Sequence, residues 1–132
     1  HETLLWGHAN NKSREYTFNY EVTKKTHFPE DHLKKSGKQM RTVWDIPNNK
    51  RSDELKFGKH PTQKPLRISE RIILTTSKPK DTVLVPFCGS GTECVAALSL
   101  GRNFISYEVD KKYVKIANDR IKDQRLKPTK YG

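Results

Sequence analysis

Apolar and polar positions alternate with a period of two near the start of the chain, and strand and helix spacings follow one another from residue 60 onward. Between these regions lies a stretch with neither pattern. Thr3 to His8 and Tyr16 to Val22 read as two strands, and Tyr16, Phe18 and Tyr20 share one face of the second. Ala9-Asn10-Asn11-Lys12-Ser13-Arg14 between them has the composition of a hairpin loop, so residues 1–22 are expected to form an edge β-hairpin. An aromatic stripe on a strand is ordinarily core, and base stacking is its rarer use. A strand that starts at the third residue, in a chain opening on His1, leads us to expect further chain upstream.

The later pattern is regular. Pro65 suits the first turn of a helix that Leu66, Ser69, Ile72, Ile73 and Thr76 continue, and Lys78-Pro79-Lys80-Asp81 breaks it. Thr82-Val83-Leu84-Val85 is a short β-branched run, expected of a strand buried on both faces of a parallel sheet. A glycine loop follows, then a helix through Ala96, Ala97 and Leu100 with Gly101 as its C-terminal cap. Asn103 to Tyr107 predicts a second strand ending at Glu108. Asp110 can cap a last helix whose apolar face is Tyr113, Val114, Ala117 and Ile121. Residues 60–125 thus read as one α/β unit, and the basic tail 126–132 is expected to fray.

Charge changes the picture of the unpatterned stretch. Lys and Arg number 26 against 15 Asp and Glu, a formal charge of +11. Much of the excess falls in residues 23–59, at Lys24, Lys25, Lys34, Lys35, Lys38, Arg41, Lys50 and Arg51, around the apolar island Arg41 to Pro47. A basic, loop-rich insert of this kind suits phosphate contact with double-stranded DNA; a solvated loop is the bland alternative. Cys88 and Cys94 lie six residues apart among small or apolar neighbours, which fits a reduced, cytoplasmic protein and supplies no metal set. No apolar run approaches the roughly 18 residues that would span a bilayer.

The sharpest chemistry is the turn after the first late strand. Gly89 and Gly91 allow close backbone approach to a ligand, and the helix beyond offers N–H groups without intrahelical partners. Glu108 follows Gly89 by 19 residues, at the carboxyl end of the neighbouring strand, where a carboxylate can accept from ribose hydroxyls. The third glycine of a dinucleotide fingerprint is missing, since that position is Cys94, and no Gly-Lys-Ser or Gly-Lys-Thr marks a P-loop. The pattern asks for adenosine and not for phosphate. It favours S-adenosylmethionine over NAD.

Three segments in order carry a resemblance: His60-Pro61-Thr62-Gln63-Lys64-Pro65, then Pro86-Phe87-Cys88-Gly89-Ser90-Gly91-Thr92, then Ser106 to Val114. Together they resemble the C-terminal portion of the DNA adenine-N6 and cytosine-N4 amino-methyltransferases, in the permuted class whose catalytic motif precedes the cofactor motifs. Glu2 to Trp6 and Tyr16 to Tyr20 are similar to segments of the adenine-specific members, so the likeness covers nearly the whole chain. It implies part of a Rossmann-like S-adenosylmethionine-dependent methyltransferase fold, comprising the cofactor-binding half and an edge hairpin. By the same likeness Phe87, Gly89, Ser90 and Gly91 lie under the methionine part of the cofactor, and Thr92 lies near its carboxylate. Glu108 holds the ribose and Val109 packs on the adenine. Thr62 and Lys64 are the polar contacts expected at the methionine end.

Two departures from that family stand out. Val85 occupies the position before Pro86-Phe87 where the family usually has an acid. The chain also contains no D-P-P-Y type tetrapeptide, the element that holds the flipped base. No catalytic residue is therefore assigned here, and an upstream segment or companion polypeptide is expected to supply that half. The reading is a site-specific DNA methyltransferase, adenine favoured over cytosine by overall likeness, and homodimerisation is compatible with it. Rival readings are a non-catalytic DNA-binding or assembly module of the same fold and a nicotinamide-dependent oxidoreductase fragment.

Overall fold

A computed structural model describes residues 1–9, 16–29, 31–33, 35–48 and 51–130. Its elements in chain order are α1 (Tyr20–Lys25), a 3-10 turn (Ser52–Leu55), α2 (Leu66–Thr76), β1 (Thr82–Val85), α3 (Thr92–Ser99), β2 (Asn103–Ser106) and α4 (Lys111–Arg125). β1 and β2 run parallel, in register from Thr82 opposite Asn103 to Val85 opposite Ser106. α3 is the crossover between them, and α2 and α4 pack beside it.

The helices begin and end where the side chains dictate. Asp110 accepts from the Lys112 N–H at 2.8 Å and so caps α4. Gly101, at φ 73°, turns the chain out of α3 without a Cβ penalty. Arg102 is buried between two helix ends, donating to the Ser77 carbonyl at 2.7 Å and to the Leu100 carbonyl. Its charge meets the negative ends of α2 and α3.

One core cluster joins Ile73 and Leu74 of α2 to Ala96, Ala97 and Leu100 at α3. A second joins Val85, Cys88 and Cys94 to Ala117 and Ile121 of α4. Both lie on one side of the strand pair. On the other side Leu84 and Ile105, opposite each other in register, are 62% and 52% exposed. The expectation that β1 is buried on both faces is thereby corrected. Its side chains alternate between a covered and an open face. The buried face of α4 is Ile116, Ala117, Arg120 and Ile121, while Val114 turns outward.

The edge hairpin is also corrected. Residues 3–8 belong to no strand, and Tyr20 to Val22, expected to close the second strand, open helix α1. Asn19 explains the difference. Its side-chain amide donates to the carbonyls of Leu74 (2.7 Å) and Ser77 (2.6 Å), and its backbone N–H donates to Thr75. Satisfying the end of α2 takes precedence over a strand ladder at this point. The aromatic stripe is consequently superficial: Tyr16 and Phe18 meet the Trp6 ring edge-on at 4.9 and 6.2 Å. Residues 10–14, expected to turn the hairpin, lie outside the described residues.

The basic insert has a built centre. Arg71 of α2 is 1% exposed and pairs with Asp31 at 2.7 Å. Its guanidinium lies between the rings of Phe28 (4.4 Å) and Trp44 (4.2 Å), donates to the Arg41 carbonyl, and reaches Met40 Sδ. The Arg41 N–H completes the circuit by donating to Asp31. Phe28, Asp31, Met40, Arg41 and Trp44 thus gather around one cation.

Candidate functional site

At the carboxyl ends of β1 and β2 opens a cleft of about 490 Å³, within the range of small-molecule sites. The loop after β1 contributes Pro86, Phe87 and Cys88; the turn after β2 contributes Tyr107, Glu108 and Val109; α4 forms the wall with Val114 and Asn118. Parallel strands put their following loops side by side at this edge, so ligand-binding groups converge there.

Glu108 ties the two loops together. Its Oε2 accepts from the Gly89 N–H at 2.8 Å, and its Oε1 accepts from the N–H groups of Val109 (2.8 Å) and Asp110 (2.9 Å). The Asp110 N–H most, then those of Gly89 and Val109, hold the carboxyl below the ordinary carboxylate value, and the nearby His60 acts in the same direction. A carboxylate has about four acceptor positions, so these bonds leave one open, on Oε2. The arrangement suits one direct hydroxyl donor, where the sequence suggested two.

Phe87 and Val109 are 91% and 99% exposed at the mouth of the cleft. Gly89 (φ 50°) and Gly91 (φ 77°) both need the left-handed region. A Cβ on Gly91 would stand 2.9 Å from the Ala117 Cβ and 3.2 Å from its Cα. We expect Gly91→Ala to destabilise the fold by about 2–4 kcal/mol, from backbone strain and overpacking together. The midpoint of denaturant unfolding checks this; an unchanged midpoint would show that α4 yields without cost.

Ser90 and Thr92 are each 3% exposed, and their hydroxyls face the interior. Ser90 Oγ donates to Gln63 Oε1 at 2.7 Å. Arg120 Nη1 donates to the Ser90 carbonyl (2.8 Å), Ser90 Oγ (3.0 Å) and Thr92 Oγ1 (2.9 Å). Their side chains are thus committed elsewhere, and what this turn offers a ligand is backbone N–H at the start of α3.

The hexapeptide is arranged differently from the sequence expectation. His60 lies against Gly89, where a Cβ would meet its ring at 3.3 Å, and its other side contacts the Tyr113 ring at 4.1 Å. Thr62 is exposed, with its N–H and hydroxyl on His60 Nδ1. Lys64 is ion-paired with Glu2 at 2.6 Å. Neither Thr62 nor Lys64 lines the cleft. His60, Gln63 and Arg120 were missed by motif reasoning. The signal for Arg120 was a charge at position 120 on the same α4 face as Ala117 and Ile121.

Among the candidate phosphate contacts, Lys25, Lys35, Lys38, Arg41 and Arg51 are exposed. Arg51 is engaged by Asp53 in a two-bond pair, and Lys24 by Glu21 at 3.4 Å. Lys34 and Lys50 lie outside the described residues. No helix among the described residues is long and apolar enough to cross a membrane.

Residues 1–119 match the DNA methylase family of the N6 and N4 type. The chain belongs to this family. Type II methyltransferase M2.LlaDCHI of Lactococcus lactis subsp. cremoris is 45% identical over 120 residues, covering 91% of this chain and 41% of its own. Type II methyltransferase M2.DpnII of Streptococcus pneumoniae is 42% identical with the same coverage. The chain therefore spans about 41% of the length of these relatives. Among solved structures, the M1.HpyAVI–SAM complex superposes with a TM-score of 0.58 at 34% identity, over 81% of this chain and 44% of that one. The chain accordingly carries part of the Rossmann-like methyltransferase fold. Within it, the described strand–loop–helix–strand unit carries the glycine loop and the acid.

Proposed function

We propose that this chain is the cofactor-binding part of an S-adenosylmethionine-dependent DNA methyltransferase that acts on adenine N6 in preference to cytosine N4. The observation that carries the cofactor reading is Glu108, held by three backbone N–H bonds over the glycine loop with one acceptor position open, and the preference for adenine rests on overall likeness alone. The residues fit the cofactor. An adenosine needs an acid for its ribose and apolar cover for its base, and Glu108 stands beside the fully exposed Val109 in one cleft. M1.HpyAVI was solved with SAM, at 34% identity to this chain.

When bound, S-adenosylmethionine supplies an electrophilic methyl group. This chain's residues bind and orient it. Glu108 accepts from a ribose hydroxyl, Val109 covers the adenine, and Phe87 with the backbone of Gly89 to Gly91 supports the methionine part. The N–H groups at the start of α3 receive its carboxylate, with Lys64 joining once released from Glu2. Thr62, whose hydroxyl meets His60 Nδ1, is proposed as a polar contact at the same end. The exposed Lys25, Lys35, Lys38 and Arg41 of the insert face phosphates of double-stranded DNA, with Lys24, Lys34, Lys50 and Arg51 in the same basic segment. The group that holds the target base comes from an upstream segment or companion polypeptide, because no D-P-P-Y type tetrapeptide is present here.

Calorimetric titration with S-adenosylmethionine and NAD tests the cofactor. Binding of the first in clear preference to the second is expected; preference for NAD would overturn the cofactor reading. Adding an upstream segment with the tetrapeptide is expected to restore methyl transfer to adenine in DNA. Cofactor binding with no transfer in the complemented enzyme would instead favour a non-catalytic module, a reading that Val85 and the missing tetrapeptide also suit.

A further inference from the structure

We propose that Arg120 and Gln63, which do not line the cleft, are positioning residues that set the affinity of the site by fixing the glycine loop from behind. The inference rests on the cofactor reading above. Ser90 is the node. Its hydroxyl donates to Gln63 Oε1 (2.7 Å) and accepts from Arg120 (3.0 Å), while its carbonyl accepts from the same Arg120 nitrogen (2.8 Å). A further bond from that nitrogen to Thr92 Oγ1 holds the next turn of the loop, at the start of α3. Gln63 passes the restraint on, since its Nε2 donates to the Glu54 carbonyl at 3.2 Å. The buried Glu54 carboxylate in turn accepts from the Leu66 N–H at 2.8 Å, at the start of α2. One chain of bonds therefore runs from α4 through the glycine loop and the hexapeptide to α2.

Arg120 is 5% exposed, and burial pulls its pKa below the ordinary arginine value. Its bonds to the loop go to neutral oxygens. Burying a guanidinium is unfavourable, and a hydrophobic residue would fill α4's apolar face with less penalty. What the guanidinium adds is direction: a planar donor that several oxygens share at fixed angles. The loop it fixes carries Gly89, whose N–H is bonded to Glu108, so a slack loop also slackens the acid. Preorganisation of this kind appears in ligand affinity, because a mobile loop must be ordered at the moment of binding.

The test measures the dissociation constant for S-adenosylmethionine at a temperature where circular dichroism shows each variant folded, alongside its melting temperature. Arg120→Met and Gln63→Leu are each expected to weaken binding about tenfold, and Arg120→Lys to recover most of that loss. Because both act through Ser90, the double variant should be weakened less than the product of the single effects. A lowered melting temperature with unchanged affinity in the folded variants would overturn the inference and leave these residues merely structural. Should Arg120→Met fail to fold, Gln63→Leu and Arg120→Lys decide by the same criterion. Absence of binding by the unsubstituted chain would overturn the cofactor reading itself, and the inference with it.

Discussion

Replacing Glu108 with alanine is expected to weaken S-adenosylmethionine binding on the order of 100-fold, the largest effect of any single substitution in the cleft. Two losses coincide. The ribose loses its charged acceptor, and the N–H groups of Gly89, Val109 and Asp110 lose theirs. The glycine loop and the acid turn then keep the bond from the Cys88 N–H to the Tyr107 carbonyl but lose the carboxylate that joins them. Glu108→Gln keeps one acceptor oxygen but turns an amide NH2 toward backbone donors, so it should retain little of the affinity. Titration calorimetry on both variants checks this; near-normal binding by Glu108→Ala would remove the acid from the site.

The same carboxylate predicts a direction with pH. Its folded value is depressed, so its interactions are complete above the ordinary value of 4.5 and are lost as pH falls through the lower folded value. Cofactor affinity should therefore hold from neutrality to below pH 4.5 as far as Glu108 governs it. A loss centred well above that pH would show that a group other than Glu108 governs the affinity.

Arg71→Met is expected to release the basic insert while the cofactor unit keeps its fold. The Arg71–Asp31 pair is almost wholly buried, at 1% and 0% side-chain exposure. Breaking such a pair from one side leaves an uncompensated charge and costs about 3–5 kcal/mol. That is a large part of the roughly 5–15 kcal/mol that holds a typical domain together, and here it falls on a segment with few aliphatic residues. The contacts to Phe28 and Trp44 disappear with it. Faster proteolysis and hydrogen exchange within residues 31–48 should result, with weaker DNA binding and S-adenosylmethionine affinity changed less than about threefold. Asp31→Asn, which keeps the shape, should act in the same direction. Undiminished protection of the insert would show that some other contact anchors it.

The helices and strands after residue 60 were legible because their signals are local. Asp110 caps, Gly101 terminates, and the β-branched run of Thr82 to Val85 extends, each through its own backbone preferences. The pairing of Gly89 with Glu108 was legible for a similar reason: a strand–turn–helix–strand unit of fixed length brings those positions together. The hairpin was misread because alternation at Tyr16, Phe18 and Tyr20 is a weak pattern. Asn19 found a better use at the end of α2, 55 residues away from it at Leu74.

The order of motifs thus determined by itself where the glycine loop and its partner acid lie and which backbone positions require glycine. Only the tertiary structure decided that the hydroxyls of Ser90 and Thr92 face inward, that His60 covers Gly89, and that Arg71 gathers the insert. Each of these depends on a partner distant in sequence, reached only when the helices pack. Hydrogen bonds and buried charges are satisfied by whatever neighbours the packing supplies, and residue type alone does not name them.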